Sequence, residues 1–121
     1  MALWRNALEK ITAKVAAYTL TPNDFGTTFT NRGATASVTF TLPAVADLPT
    51  GWWVRFYGVV NAGMVIASNG SADNISSLND DAADSITMTT NSLAIGASVH
   101  LVWDGTRWLS DRHSGNTYTT A

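Results

Sequence analysis

The spacing of hydrophobic residues changes once along the chain, near residue 17. Before that position, apolar residues recur at intervals of three and four, which is the spacing of one face of an α-helix. The residues on this face are Leu3, Trp4, Ala7, Leu8, Ile11 and Val15. The spacing predicts an amphipathic helix over residues 2–17. We therefore divide the chain into an N-terminal helical arm, residues 1–17, and a β domain, residues 18–121.

Downstream of the arm, apolar and polar residues alternate, and a period of two is typical of β-strands with one buried face. The clearest example is residues 37–42, which place Val38, Phe40 and Leu42 on one face. Further strands are predicted over residues 25–30, 52–60, 64–67 and 86–89, and on both sides of Asp104-Gly105. About seven short strands separated by turn-forming residues predict a mainly β fold, either a compact antiparallel β-sandwich or a jelly-roll-like barrel.

Two three-residue loops that end in glycine are expected to close hairpins. One is Asn31-Arg32-Gly33, and the other, Asn61-Ala62-Gly63, follows the strand over residues 52–60. Such loops suit hairpins with a bulge, because glycine adopts the left-handed conformation that the last position needs. Residues 68–84, by contrast, are rich in Asn, Asp and Ser and are expected to form a polar loop.

A third hairpin is predicted within residues 99–110, VHLVWDGTRWLS. A two-residue Asp-Gly turn would place Trp103 opposite Thr106 and Leu101 opposite Trp108. Both tryptophans then share a face with aliphatic residues, whereas charged groups occupy the other face. We therefore expect Trp103 and Trp108 to fill the core rather than to form a ligand platform.

The strand over residues 52–60 is the most informative one for function. If its even-numbered apolar residues face the core, the opposite face exposes Trp53, Arg55 and Tyr57. These three residue types are enriched at protein interfaces and among interface hot spots. They also suit stacking on a sugar ring or a base. A second sheet or a neighbouring subunit could cover them instead, and the pattern alone leaves these alternatives open.

Composition limits the classes of partner. Charged residues make up 13% of the chain, compared with about 25% in a typical soluble domain. The net charge is −2 without a basic footprint, so we expect no nucleic-acid partner. No stretch has the apolar length of a membrane span, and the predicted helix carries only three basic residues, so we expect no membrane contact. A weakly charged surface suits a protein that is packed against other proteins.

The chain lacks the residue patterns that catalysis or metal binding would need. It has no cysteine and only two histidines. Asp111, His113 and Ser114 are the residue types of a catalytic triad, but they are nearly consecutive and cannot form its hydrogen-bonded chain. The acidic residues of the polar loop do not have the spacing of a calcium-binding EF-hand; they are Asp73, Asp80, Asp81 and Asp84. We expect no enzymatic activity, no cofactor and no metal.

Four stretches between Tyr18 and about Gly115 resemble small β-rich domains of tailed-phage structural proteins, including head decoration (cement) proteins and fibre modules. They are YTLTPNDFGTTFTNRGA, SVTFTLP, IASNGSADNI and GASVHLVWDGTRW. The resemblance implies a structural module without catalysis that assembles as a homo-oligomer, often a trimer. The helical arm and Trp52-Trp53 are not part of it, so their roles are inferred from their chemistry alone.

These features lead to one expected function, that of a virion structural protein on the capsid surface. We expect a homotrimer that binds the major capsid protein and stabilises the capsid as a decoration protein. The expected contact residues are Leu3, Trp4, Leu8, Ile11, Trp53, Arg55 and Tyr57. The alternative is a carbohydrate-binding module of a phage fibre or surface appendage. In that case Trp53 and Tyr57 stack on a glycan, and the acidic loop helps to orient it.

Overall fold

The structure is a computed structural model that describes residues 8–77, 79–88, 95–113 and 118–121. The first strands are β1 (Lys10–Ala13), β2 (Tyr18–Thr19), β3 (Thr27–Thr30), β4 (Val38–Thr41), β5 (Trp53–Tyr57) and β6 (Met64–Ala67). The later strands are β7 (Ile75–Ser77), β8 (Asp80–Ala83), β9 (Ser85–Met88), β10 (Ser98–Trp103), β11 (Trp108–His113) and β12 (Tyr118–Thr120). Short 3-10 helices cover Pro22–Asp24 and Val45–Asp47. Among the residues that the structure describes, no helix has the length and apolar character needed to cross a membrane.

The strands form two mixed sheets, so the predicted mainly β class is confirmed. The seven-stranded sheet has the order β1-β3-β5-β10-β11-β7-β8, and the five-stranded sheet has the order β12-β9-β6-β4-β2. From β1 to β6 the chain changes sheet at every connection. As a result β1, β3 and β5 run parallel in one sheet, and β2, β4 and β6 run parallel in the other. The predicted antiparallel arrangement is therefore wrong for this half of the chain.

The predicted helix over residues 2–17 is wrong where the structure describes that segment. Lys10–Ala13 forms β1 and pairs in parallel with β3, and the N–H of Lys14 donates to the C=O of Thr30 at 3.0 Å. The apolar spacing did not determine the structure because the stripe is not buried; Ile11, for example, is 67% exposed. Pairing with β3 satisfies the backbone instead, and tertiary context of this kind commonly overrides weak helix propensity.

Both three-residue loops connect different sheets, so the two hairpins predicted around them are also wrong. β3 and β4 lie in different sheets, and so do β5 and β6. The buried Asn31 side chain accounts for part of this arrangement. Its Oδ1 accepts from the N–H groups of Val59 and Val60 at 2.9 and 3.2 Å, and its Nδ2 donates to the C=O of Gly63 at 3.4 Å. These bonds join the connection after β3 to the connection after β5.

The core is built from both sheets. Phe29 and Phe56 of the seven-stranded sheet contact Phe40 of the five-stranded sheet, with ring centroids 5.3 and 5.1 Å apart. Trp103 and Trp108 are 6% and 0% exposed, which confirms their predicted role in the core. Burial of one such phenylalanine stabilises the fold by roughly 1.5–3 kcal/mol. The core residues occupy the faces on which the two sheets contact each other, and their side chains are not accessible to partners.

The hairpin of β10 and β11 is present, but its register differs from the predicted one. Trp103 pairs with Trp108, so the turn contains residues 104–107 rather than two residues. The Asp104 Oδ1 atom closes this longer turn by accepting from the N–H groups of Arg107 and Thr106, each at 2.7 Å. The same two bonds lower the pKa of Asp104. Both tryptophans still face the core, because the change in register preserves the faces of the two strands.

Residues 68–84, predicted to be a polar loop, contain two further strands. β7 pairs in parallel with β11, and β8 pairs antiparallel with β7 at the end of the sheet. The Ser110 hydroxyl donates to the C=O of Ser76 at 2.9 Å. Of the apolar residues in these strands, Ile75 and Ala83 are fully buried. With so little core contact, strands at a sheet edge resemble a loop in composition.

Candidate interaction surface

The predicted alternation in β5 is confirmed. Val54 and Phe56 are fully buried, whereas Trp53 and Arg55 are half-buried and Tyr57 is 40% exposed on the outer face. Successive side chains of a strand point to opposite faces of the sheet, and the core takes one of the two sets. Trp53, Arg55 and Tyr57 therefore lie on the outer face of the seven-stranded sheet.

Strand pairing extends this outer face across β10 and β11. Trp53 lies opposite Val102, and Val102 lies opposite Leu109. We call these three residues the apolar row. Beside it, a charged row runs through Arg55, His100 and Asp111, which are paired in the same way. The two rows place a hydrophobic strip directly next to groups of both charges.

Trp53 is held between two ring neighbours. The Phe25 ring meets it edge-on with centroids 6.1 Å apart, and the His100 ring lies 5.1 Å away. The N–H of Gly26 donates to the C=O of Trp53 at 2.9 Å, and Gly26 has a φ of +71° that suits glycine. Phe25 itself is 48% exposed. The indole is thus positioned by its surroundings while part of it remains accessible.

A groove of about 390 Å³ lies at the β1 end of the same outer face. Strands β1, β3 and β5 supply most of its lining, which is Glu9, Ile11, Ala13, Thr28, Thr30, Arg32, Arg55, Tyr57 and Val59. The buried threonines lie between the taller side chains of the flanking strands. The groove therefore has a hydroxyl-bearing floor and mixed apolar and charged walls.

An ion pair with Glu9 orients the Arg55 guanidinium in this groove. Arg55 Nε also donates to the Thr28 hydroxyl at 3.2 Å, and that hydroxyl donates to Glu9 Oε2 at 3.3 Å. The two charged side chains are 38% and 52% exposed, so the pair contributes at most about 1 kcal/mol to stability. Its main consequence is a guanidinium held in one position at the surface.

The structure brings together some of the predicted contact residues and separates others. Ile11 lines the groove together with Arg55 and Tyr57. Trp53, the first residue of β5, is not part of the groove lining. Leu8 precedes β1, is 59% exposed and does not line the groove either. Leu3 and Trp4 lie outside the described residues.

Sequence reasoning missed part of this surface, namely Phe25 and the contribution of Val102 and Leu109. Leu109 is 47% exposed beside the half-buried Val102. The sequence places both residues on the polar side of their hairpin, but only the pairing of β5 with β10 aligns them with Trp53. That pairing joins segments about forty residues apart, and no local pattern predicts it.

The candidate catalytic and metal-binding residues of the sequence lie partly inside and partly outside the described ranges. His100 packs against Trp53, and Ser114 of the rejected triad lies outside the described ranges. Across those ranges, no group of three or more His, Asp or Glu side chains could hold a metal ion. Asp73 and Asp84 do interact, since the N–H of Asp73 donates to Asp84 Oδ1 at 3.0 Å. A side-chain hydrogen bond with Asp84 and the charge of that carboxylate raise the pKa of Asp73.

A scan against models of protein families gave no match, and a search of curated proteins gave none either. The description of the surface therefore rests on the structure alone, which shows the apolar row, the charged row and the groove lined by β1, β3 and β5.

Proposed function

We propose that this protein is a non-enzymatic virion structural protein that binds the major capsid protein of a tailed phage and stabilises the capsid as a decoration protein. The supporting observation is the outer face of the seven-stranded sheet, where the apolar row lies beside the charged row. Exposed apolar strips with polar borders are typical of protein interaction sites. We propose the major capsid protein as the partner because four stretches of the sequence resemble phage structural domains.

In the proposed assembly, the two sheets are the layers of a β-sandwich, and one outer face lies on the capsid. A copy seated where capsid subunits meet buries surface on both neighbours and so opposes their separation. Each Å² of buried apolar surface contributes roughly 25 cal/mol before the entropy cost of association is subtracted. Because a closed shell carries many copies, a modest gain per site accumulates over the whole particle.

The proposed contact residues fall into two groups. Trp53, Arg55 and Tyr57 belong to residue types that dominate binding energy when they are buried in an interface. The second group, Leu3, Trp4, Leu8 and Ile11, belongs to the N-terminal segment. Ile11 joins the first group through the groove, and Leu8 lies just before β1. We propose that the segment leading into β1 extends the contact made by the sheet.

The experiment that tests this proposal is quantitative mass spectrometry of purified virions. The chain is counted against the major capsid protein in the same particles. A copy number comparable with the capsid protein, or a fixed simple fraction of it, is the expected result. A few copies per particle would assign the chain to a fibre or tail, and absence from the particle would rule out a virion role.

The groove supports one alternative, a carbohydrate-binding module of a phage fibre or surface appendage. Its volume of about 390 Å³ falls within the usual range of small-ligand sites, and Tyr57 offers a ring beside the fixed Arg55 guanidinium. The acidic aspartates lie at the opposite edge of the sheet, so Glu9 replaces them as the acidic group at this site. Saturable quenching of tryptophan fluorescence by a defined sugar, lost in Tyr57→Ala, would favour this alternative.

A further inference from the structure

The two edges of the seven-stranded sheet carry opposite charge. At the β1 edge, Lys10 and Arg32 are exposed, and Lys14 lies over the Tyr18 ring with its Nζ 3.9 Å from the centroid. Asp24 accepts from the hydroxyl of that tyrosine at 2.9 Å, so with the paired Arg55 and Glu9 this edge has four basic and two acidic residues and a formal charge of +2. The basic edge stands out because the whole chain has a net charge of −2.

The β8 edge is acidic. Five charged residues that interact there are Asp73, Asp80, Asp81, Asp84 and the basic Arg107, and together they have a formal charge of −3. Arg107 Nε lies 3.5 Å from Asp81, whose side chain is 75% exposed. A side-chain hydrogen bond with Asp84, together with the negative charges of Asp84 and Asp80, raises the pKa of Asp73.

β1 and β8 are the end strands of the seven-stranded sheet, although in β8 the N–H of Ala82 already donates to Asp80 Oδ1 at 3.0 Å and is not free for a neighbour. β1 and β8 each contain four residues, and in the described part of the chain each has a neighbouring strand on one side. Lys14 directs its N–H toward β3, and backbone groups alternate in direction along a parallel strand. The N–H and C=O groups of Ile11 and Ala13 therefore point away from β3, toward the open side.

Strand directions make the two edges compatible. β3, β5, β11 and β7 run in the direction of β1, whereas β10 and β8 run opposite to it. A second copy that continues the sheet in the same orientation would place its β1 antiparallel to β8 of the first copy. Antiparallel pairing is the commoner and slightly more stable form.

We propose that this protein assembles with itself edge to edge, with β8 of one copy adding to β1 of the next. Complementary charge selects the second copy as the occupant of each edge, with Lys10, Lys14 and Arg32 meeting the aspartates of the neighbour. Such an interface is heterologous, and it closes into a ring when the rotation between copies is a simple fraction of a turn. The assembly leaves the outer face free and does not depend on what that face binds.

Charge reversal at each edge tests this proposal on the full chain. Molar mass is measured by size-exclusion chromatography with light scattering over a range of concentrations, and folding is checked by circular dichroism. Lys10→Asp and Asp81→Lys are each expected to raise the concentration for half-assembly roughly tenfold or more, because like charges then face each other. The double variant restores opposite charges and is expected to return toward the wild-type value.

A control reverses one charge outside both edges. Asp47→Lys lies in the 3-10 helix between β4 and β5, changes the net charge as Asp81→Lys does, and is expected to assemble normally. A monomeric wild-type protein over the whole concentration range would overturn the proposal. Single reversals that assemble like the wild type, or a folded double variant that stays dissociated, would overturn it as well. In any of these cases the proposed capsid contact could still hold, because its readout is the copy number in virions.

Discussion

The outer faces of the two sheets differ in composition. The seven-stranded sheet presents Trp53, Tyr57 and Leu109 outward, next to charged side chains. The five-stranded sheet presents small residues in two rows: Thr19, Thr41, Ala67 and Ser85, then Thr39, Val65, Thr87 and Thr119. No charged side chain belongs to these two rows. One protein thus carries an aromatic, charged face and a small, neutral one.

The difference between the two outer faces distinguishes residues that the sheets need for folding from residues that they do not need. Threonine and valine favour strands, so the small, neutral face needs no further explanation than the stability of its own sheet. Exposed aromatic and large aliphatic residues gain nothing from folding while they remain in water. Their grouping on one face supports the proposed binding surface, and the following predictions test that distinction.

The largest effect is expected from removing β1, which forms one wall of the groove. Deletion of residues 1–17 is expected to lower the free energy of unfolding by about 3 kcal/mol, because β3 loses its neighbour and buried threonines become exposed. Chemical denaturation measures this change. Deletion of residues 1–7 leaves β1 intact and is expected to keep most of the stability. Equal stability of the longer deletion and the full chain would show that β1 does not stabilise the sheet.

The next effect concerns binding by the two outer faces. Trp53→Ala is expected to weaken binding to capsids stripped of decoration by about 30-fold, corresponding to about 2 kcal/mol for a central aromatic contact. Leu109→Ala, which removes an exposed side chain of the same row, is expected to weaken it less. Val65→Ala on the opposite face is the matched control and is expected to bind as the wild type does. Sedimentation of capsids with added protein measures all three, and a greater loss for Val65→Ala than for Trp53→Ala would reverse the assignment of the faces.

A smaller effect is expected from the glycine that supports Trp53. Gly26→Ala is expected to cost about 1 kcal/mol of stability, because its φ of +71° is unfavourable for alanine. Gly51→Ala is a control with a φ of +96° and no atom within 4 Å of the added Cβ, so it isolates the backbone cost. Both variants are expected to be destabilised similarly in thermal unfolding. Only Gly26→Ala should also weaken capsid binding, and equal binding by the two would indicate that the position of Trp53 is unimportant.

The smallest effects concern two aspartates with opposite dependence on pH. The pKa of Asp104 is lowered by the N–H groups that align β10 with β11, so its contribution to stability exists above its unfolded pKa and is lost as the pH falls through the folded value. The pKa of Asp73 is raised, so its contribution exists below the unfolded pKa and is lost as the pH rises through the folded value. Asp104→Ala is expected to destabilise at neutral pH, and Asp73→Asn to stabilise slightly. Denaturation at neutral and acidic pH checks these signs; the opposite signs would contradict the hydrogen-bond assignments.

The sequence predicts side-chain faces better than it predicts neighbours. Alternation in β4 and β5 identified the buried phenylalanines and the outward Trp53, because the period of a strand is local. The parallel pairing of β1 with β3 could not be predicted, since Ile11 and its neighbours also fit a helical period and the pairing depends on distant residues. The loop that contains Asn31 was predicted to be a hairpin turn from its local composition. Its bonds to the β5–β6 connection join residues that are distant in sequence, so no local pattern indicates them. The outward-facing residues of β5 were therefore predictable, and their alignment with Val102 and Leu109 was not.

The most direct test of the central claim is hydroxyl-radical footprinting of the protein, free and bound to capsids, read by mass spectrometry. The seven-stranded outer face offers reactive, accessible side chains in Phe25, Tyr57 and Leu109, and the opposite face offers Val65. We expect capsid binding to protect the first three and to leave Val65 as reactive as in the free protein. Protection of Val65 with undiminished labelling of Tyr57 and Leu109 would place the capsid on the other sheet and contradict the account.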